Sequence, residues 1–166
     1  LQQLEKPLDD HRRTSTTSGG PRRWLAPPEG LVKINVDGAV ARHKRGGAVS
    51  AVCRDHTGLY LGSSAAVYRG ITDPTTLGTF ACREALALAL DLQLTNMMGA
   101  SDCKGVVLDI NEGTGGPHSA IIHEITQQRS SFDLVSFVFE HRNHNFEAHN
   151  LAKFAYNLEV GRHVWL

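Results

Sequence analysis

The run Ile34-Asn35-Val36-Asp37-Gly38-Ala39 constrains this chain more than any other. Its β-branched residues favour an extended strand, yet Asp37 stands inside it, just before a glycine. A carboxylate in an apolar strand costs several kcal/mol, on the order of a lost ion pair, unless it is paired or binds a cation. The strand is therefore expected to lie where Asp37 is used.

At 166 residues the chain fits one domain by the usual span of roughly 100–200 residues. Hydrophobic residues make up 41%, charged residues 20%, and the formal net charge is zero. That balance excludes a disordered acidic or basic protein and a membrane protein, and it confines any nucleic-acid contact to a local patch. Cys53, Cys82 and Cys103 are odd in number and lack paired C-x-x-C spacing, so the expectation is a reducing compartment, nucleus or cytoplasm, with no disulfide framework. No apolar run suits a signal peptide or a membrane span. The chain opens on Leu1 instead of methionine, which reads as a piece of a longer or processed protein.

Residues 1–30, rich in Ser, Thr, Gly, Pro and Arg, read as a disordered linker, with Trp24 docked on the domain edge; residues 31–166 read as the domain. Leu31–Val36, Ala48–Val52 and Leu59–Val67 are β-prone and are joined by the turn sequences 42–47 and 55–58, which predicts an antiparallel meander. Beyond Asp73-Pro74 a helix is predicted to about Leu94, capped by Thr75 or Thr76. Its stripe Ala81, Ala85, Leu88 and Leu92 includes Glu84, whose carboxylate then points at the sheet and requires a counter-charge. A strand ending at Ser101-Asp102, helices over 104–112 and 118–130, a strand over 134–139 and a helix from Asn145 to about Leu158 complete the pattern. Asn145 is the expected cap and Ala148, Leu151, Ala152 and Ala155 the inner face. This is an α/β chain with a mixed sheet and helices on both faces.

If the fourth strand lies beside the first and the helix covers both, Asp37, Glu84 and Asp102 converge. Three carboxylates within a few Å cannot all ionise without a cation, and oxygen ligands suit Mg²⁺ or Mn²⁺. His141, His144 and His149 lack a nearby Cys or acid at zinc-ligand spacing. No Gly-x-Ser-x-Gly elbow or phosphate-loop sequence is present.

Five segments, in order, resemble the ribonuclease H type 1 domain in its plant retroelement-derived form. They are Ile34–Ala39, Cys53–Gly58, Arg83–Leu88, Ser101–Cys103 and Asn145-x-x-Ala148-His149-Asn150-Leu151-Ala152. The resemblance spans about residues 31–158. It implies a ribonuclease H-like fold whose five-stranded mixed sheet has an antiparallel meander of strands 1–3 followed by parallel strands 4 and 5. The implied activity is hydrolysis of the RNA strand of RNA–DNA hybrids with two Mg²⁺ or Mn²⁺ ions, one activating water and one stabilising the leaving oxygen. The implied protein is a monomer without a small-molecule cofactor.

Asp37, Glu84 and Asp102 match three of the family's four metal-binding acids, Asp37 as the bridging ligand. His149 stands at the fourth, which predicts a weaker second metal site, a preference for Mn²⁺ and slower cleavage. The family's Gly-x-Gly, close to RNA 2′-hydroxyls, falls on Ala48-Val49-Ser50. The expected nucleic-acid contacts are Gly38, Ala48, Ser50, Arg42, Lys44, Arg45, Arg83, Lys104, Arg142 and Asn145, with Arg142 toward the scissile phosphate. The alternative is a domesticated domain that keeps the fold and binds nucleic acid with weakened or lost turnover.

Overall fold

Why the strands form is plain from their residues: Val32–Ala41 (β1), Gly46–Asp55 (β2) and Tyr60–Arg69 (β3) are long runs of Val, Ile, Ala and Ser, interrupted only by tight turns. A computed structural model describes residues 21–114 and 116–166. Arg12, Arg13 and most of the expected linker lie outside them. β1 pairs antiparallel with β2, and β2 with β3. The β1–β2 connection is a 3-10 turn, Arg42–Lys44, closed by Arg45 in the left-handed region. Asp55 caps the second turn by accepting from Thr57 and Leu59.

Helix α1, Pro74–Asp91, is capped two to three residues earlier than the predicted Thr75 or Thr76: Asp73 accepts from Thr76 N at 2.9 Å, with Pro74 at the first helical position. There follow β4 (Asn96–Ser101), α2 (Lys104–Glu112), α3 (Ser119–Arg129), β5 (Leu134–Phe139) and α4 (Phe146–Ala155). β4 lies parallel to β1 and β5 parallel to β4. A sixth strand, β6 (Gly161–Trp165), pairs antiparallel with β3 and was not expected. The sheet order is β5-β4-β1-β2-β3-β6.

Alternation along β1 divides its residues between two faces. Ile34 and Val36 join Leu77, Ala81, Ala85 and Leu88 of α1 in the main core. Lys33 and Asn35 face the other way, into a buried polar network. Lys33 Nζ donates to Glu140 Oε2 at 2.7 Å and to Leu25 O at 2.7 Å. Asn35 Nδ2 donates to Glu140 Oε1 and Asn145 Oδ1, and Asn145 Nδ2 donates to Val36 O. This network fixes the end of β5 and the start of α4 against β1. It also holds residues around Leu25, where Trp24 has the Lys33 ammonium 5.8 Å from its ring centre. Among the described residues no helix is long and apolar enough to cross a membrane.

Candidate nucleic-acid and acidic site

Strand register brings two of the expected acids together. Val36 is paired with Ser101 across the parallel β1–β4 ladder, so Asp37 and Asp102 are the next residues on adjacent strands. Both line a cleft of about 460 Å³ with Gly38, Pro74, Thr75, Gly78, Ser101, Cys103, Phe139, His141 and Arg142. This is the carboxyl end of parallel strands, where open α/β sheets place their ligands. Gly38 is required by packing: a β-carbon there would come within 2.9 Å of Leu77 Cβ on α1.

The pair is electrostatically uncomfortable. Burial, and then the Asp102 charge, push the Asp37 carboxyl up to about 6, against the hydrogen bond from His149. Burial also raises Asp102, opposed by His149, Arg142 and His141. His149, on α4, has Nδ1 3.0 Å from Asp37 Oδ2 and a side chain that is 55% exposed. It reaches Asp37 because that side chain shares the α4 face of β1 with Asn35.

Glu84 is not part of this group, contrary to expectation. It is 5% exposed, accepts from Ser64 Oγ at 2.6 Å and pairs with Arg162 Nε of β6 at 2.8 Å. The physical reason is its place along the helix: Glu84 lies midway along α1, over β3, and bonds Ser64 there. The α1 residue that does line the cleft is Gly78, six residues or about 9 Å of helix rise earlier, and it has no side chain to offer. Other nearby acids are also committed, Glu140 to Lys33 and Glu147 to Arg54 at 2.7 Å. Among the described residues no three His, Cys, Asp or Glu side chains gather as a metal-holding group. The side chains present do not fit the two-ion centre that the resemblance implies.

Several expected nucleic-acid contacts are also displaced. Ala48 and Ser50 are fully buried beneath α4, with Ser50 Oγ donating to Ala148 O at 2.6 Å. Asn145 is 1% exposed and spends its side chain on Asn35 and Val36, so it sits at the helix N-cap without capping through its side chain. Arg83 pairs with Glu124 at 3.0 Å and lies over Phe80. Arg42, Lys44 and Arg45 are exposed on the β1–β2 turn, and Arg142 on the cleft rim. Lys104 is exposed with its ammonium 5.5 Å from the Phe139 ring centre. Phe139 was not anticipated; its only sequence signal is an aromatic at a strand end next to Arg142.

Sheet order, crossing helices and the position of the cleft define a ribonuclease H-like fold. The chain belongs to the reverse transcriptase-like family, whose sequence profile matches residues 35–155. No curated protein matches it significantly. Among solved structures it resembles RNase H1 of the halophilic archaeon Halobacterium salinarum, at 21% identity and TM-score 0.70, covering 77% of this chain and 98% of that one. The N-terminal RNase H domain of a Mycobacterium tuberculosis protein is similar at 19% identity and TM-score 0.68, covering 76% and 94%. LC11-RNase H1, solved in complex with an RNA/DNA hybrid, is similar at 18% identity and TM-score 0.66, covering 76% and 96%.

Proposed function

We propose that this chain binds RNA–DNA hybrids through the cleft at the ends of β1 and β4, and that its hydrolysis of the RNA strand is reduced to a residual level. Family membership and the likeness to an RNase H1 solved with a hybrid support the substrate class. The observation that carries the reduced activity is the wall of the cleft: Asp37 and Asp102 face Gly78, while the buried acid of α1 is neutralised by Arg162.

Each residue has a definable task in this reading. Arg142 and Lys104 on the rim, with Arg42, Lys44 and Arg45 on the β1–β2 turn, attract the phosphate backbone, a salt-sensitive and sequence-independent interaction. Asp37 and Asp102 form the acidic floor, where a divalent ion such as Mg²⁺ or Mn²⁺ would supply charge neutralisation when bound. His149 accepts or donates a hydrogen bond at Asp37 and brings no negative charge of its own. The domain is read as a retroelement-derived monomer of the nucleus or cytoplasm.

The test pairs two measurements on one labelled hybrid: binding by fluorescence anisotropy, and cleavage in Mg²⁺ and in Mn²⁺. The reading expects saturable binding that weakens with salt and little product. Rapid Mg²⁺-dependent cleavage would remove the reduced-activity half, and absence of binding at low salt would remove the whole.

A further inference from the structure

The β5 edge of the cleft carries a group that the acidic pair does not use. β5 ends at Phe139, whose side chain is 45% exposed although it lines the same cleft as Asp37 and Asp102. Lys104 holds its ammonium 5.5 Å from the centre of that ring, and Arg142 follows three residues later on the rim. Several other basic side chains are spent on carboxylates, Lys33 on Glu140, Arg54 on Glu147, Arg83 on Glu124, and Arg162 on Glu84 and Asp91, while Arg42, Lys44 and Arg45 stand apart on the β1–β2 turn. Among the described residues Lys104 and Arg142 form no ion pair. An exposed aromatic ring with one ammonium over it and a guanidinium on the same cleft matches a ligand with a flat π surface one sugar away from a negative charge.

Resting on the hybrid-binding reading above, we propose that Phe139 is a stacking platform for an unpaired nucleobase at the end of the bound duplex, with Lys104 and Arg142 taking the flanking phosphates. A base inside a duplex is already stacked on both faces and held by its partner, so a side chain stacks most readily on an unpaired one. An acidic peptide would meet the cations but its carboxylates would gain nothing from the ring. The consequence is a substrate preference: a hybrid with a single-stranded overhang binds more tightly than the same hybrid with blunt ends.

The experiment compares anisotropy of one labelled hybrid, blunt or with a three-nucleotide overhang, for wild type, Phe139→Ala and Phe139→Trp, with 2-aminopurine in the overhang as a stacking reporter. Wild type is expected to prefer the overhang by roughly 5- to 150-fold, the range of base–aromatic stacking. Phe139→Ala is expected to erase that preference and the 2-aminopurine quenching, and Phe139→Trp to keep both. Equal wild-type binding of the two hybrids, or an overhang preference that survives Phe139→Ala, overturns the platform while leaving hybrid binding in place. Absence of wild-type binding to either hybrid overturns hybrid binding and the platform together.

Discussion

Arg162 donates its Nε–H to Glu84 Oε2 at 2.8 Å, and its Nη2 reaches Asp91 at 2.6 Å, so the last strand is latched to α1 through two carboxylates. Glu84 is nearly buried and Arg162 about one third exposed. Removing one partner of such a pair leaves an uncompensated charge, and partial exposure reduces the loss. Arg162→Ala is expected to lower stability by about 2–3 kcal/mol in urea unfolding. Amide exchange in β6 and its β3 partner Ala65 should quicken first. Unchanged exchange there would show that the latch holds nothing.

The raised Asp37 carboxyl makes a signed pH prediction. Its value in the fold is about 6 against an ordinary 3.8, so the folded state binds this proton more tightly than the unfolded state. Stability from this group is fully present below about pH 3.8 and is lost as pH rises through 6. Asp37→Asn, neutral throughout, is therefore expected to stabilise the protein on the order of 2 kcal/mol at pH 7.5 and to give no gain at pH 3.5. Equal effects at both pH values would contradict the assignment.

Lys33 and Glu140 form the most buried ion pair described, at 2.7 Å, and the same carboxylate accepts from Asn35. Lys33→Met leaves Glu140 charged and half-satisfied, and about 3–5 kcal/mol of stability should go with it. Restoring neutrality with Lys33→Met plus Glu140→Gln should recover part of that loss. A double variant as unstable as the single one would mean that packing, not charge, dominates.

Gly78 has room for a side chain: a β-carbon there would lie 3.4 Å from Val106 Cγ2 and 3.7 Å from Cys103. Glycine inside a helix costs about 0.5–1 kcal/mol relative to alanine, so Gly78→Ala should stabilise by that amount in thermal unfolding. Gly78→Glu adds a third carboxylate to the cleft, and its melting temperature should rise with millimolar Mn²⁺ far more than that of wild type. An equal Mn²⁺ shift in both proteins would show that Asp37 and Asp102 already hold the ion.

Much of this was readable from residues. The alternation of β1, the helical stripe of α1 and the Gly and Asp turns gave the sheet and its covering helices. The need of Glu84 for a counter-charge was also legible, because a carboxylate on a buried stripe cannot stand alone. Its partner was not, since Arg162 comes from 78 positions away on a five-residue strand whose mostly exposed residues show no apolar alternation. Gly78 was invisible for a simpler reason: a missing side chain leaves no chemical signal, and only the cleft lining reveals what stands there. Asn145 shows the converse, a residue whose helix-start position suggested a cap while its neighbours on β1 claimed its amide.

The central claim is that the cleft lacks an acid from α1. The direct measurement is the single-turnover cleavage rate of a labelled RNA–DNA hybrid in Mg²⁺ by wild type and Gly78→Glu, both at saturating protein. A metal centre supplies several kcal/mol of charge stabilisation, so Gly78→Glu should be at least about 100-fold faster than a nearly inactive wild type. Wild-type cleavage as fast as that of Gly78→Glu, lost on Glu84→Gln, would contradict it.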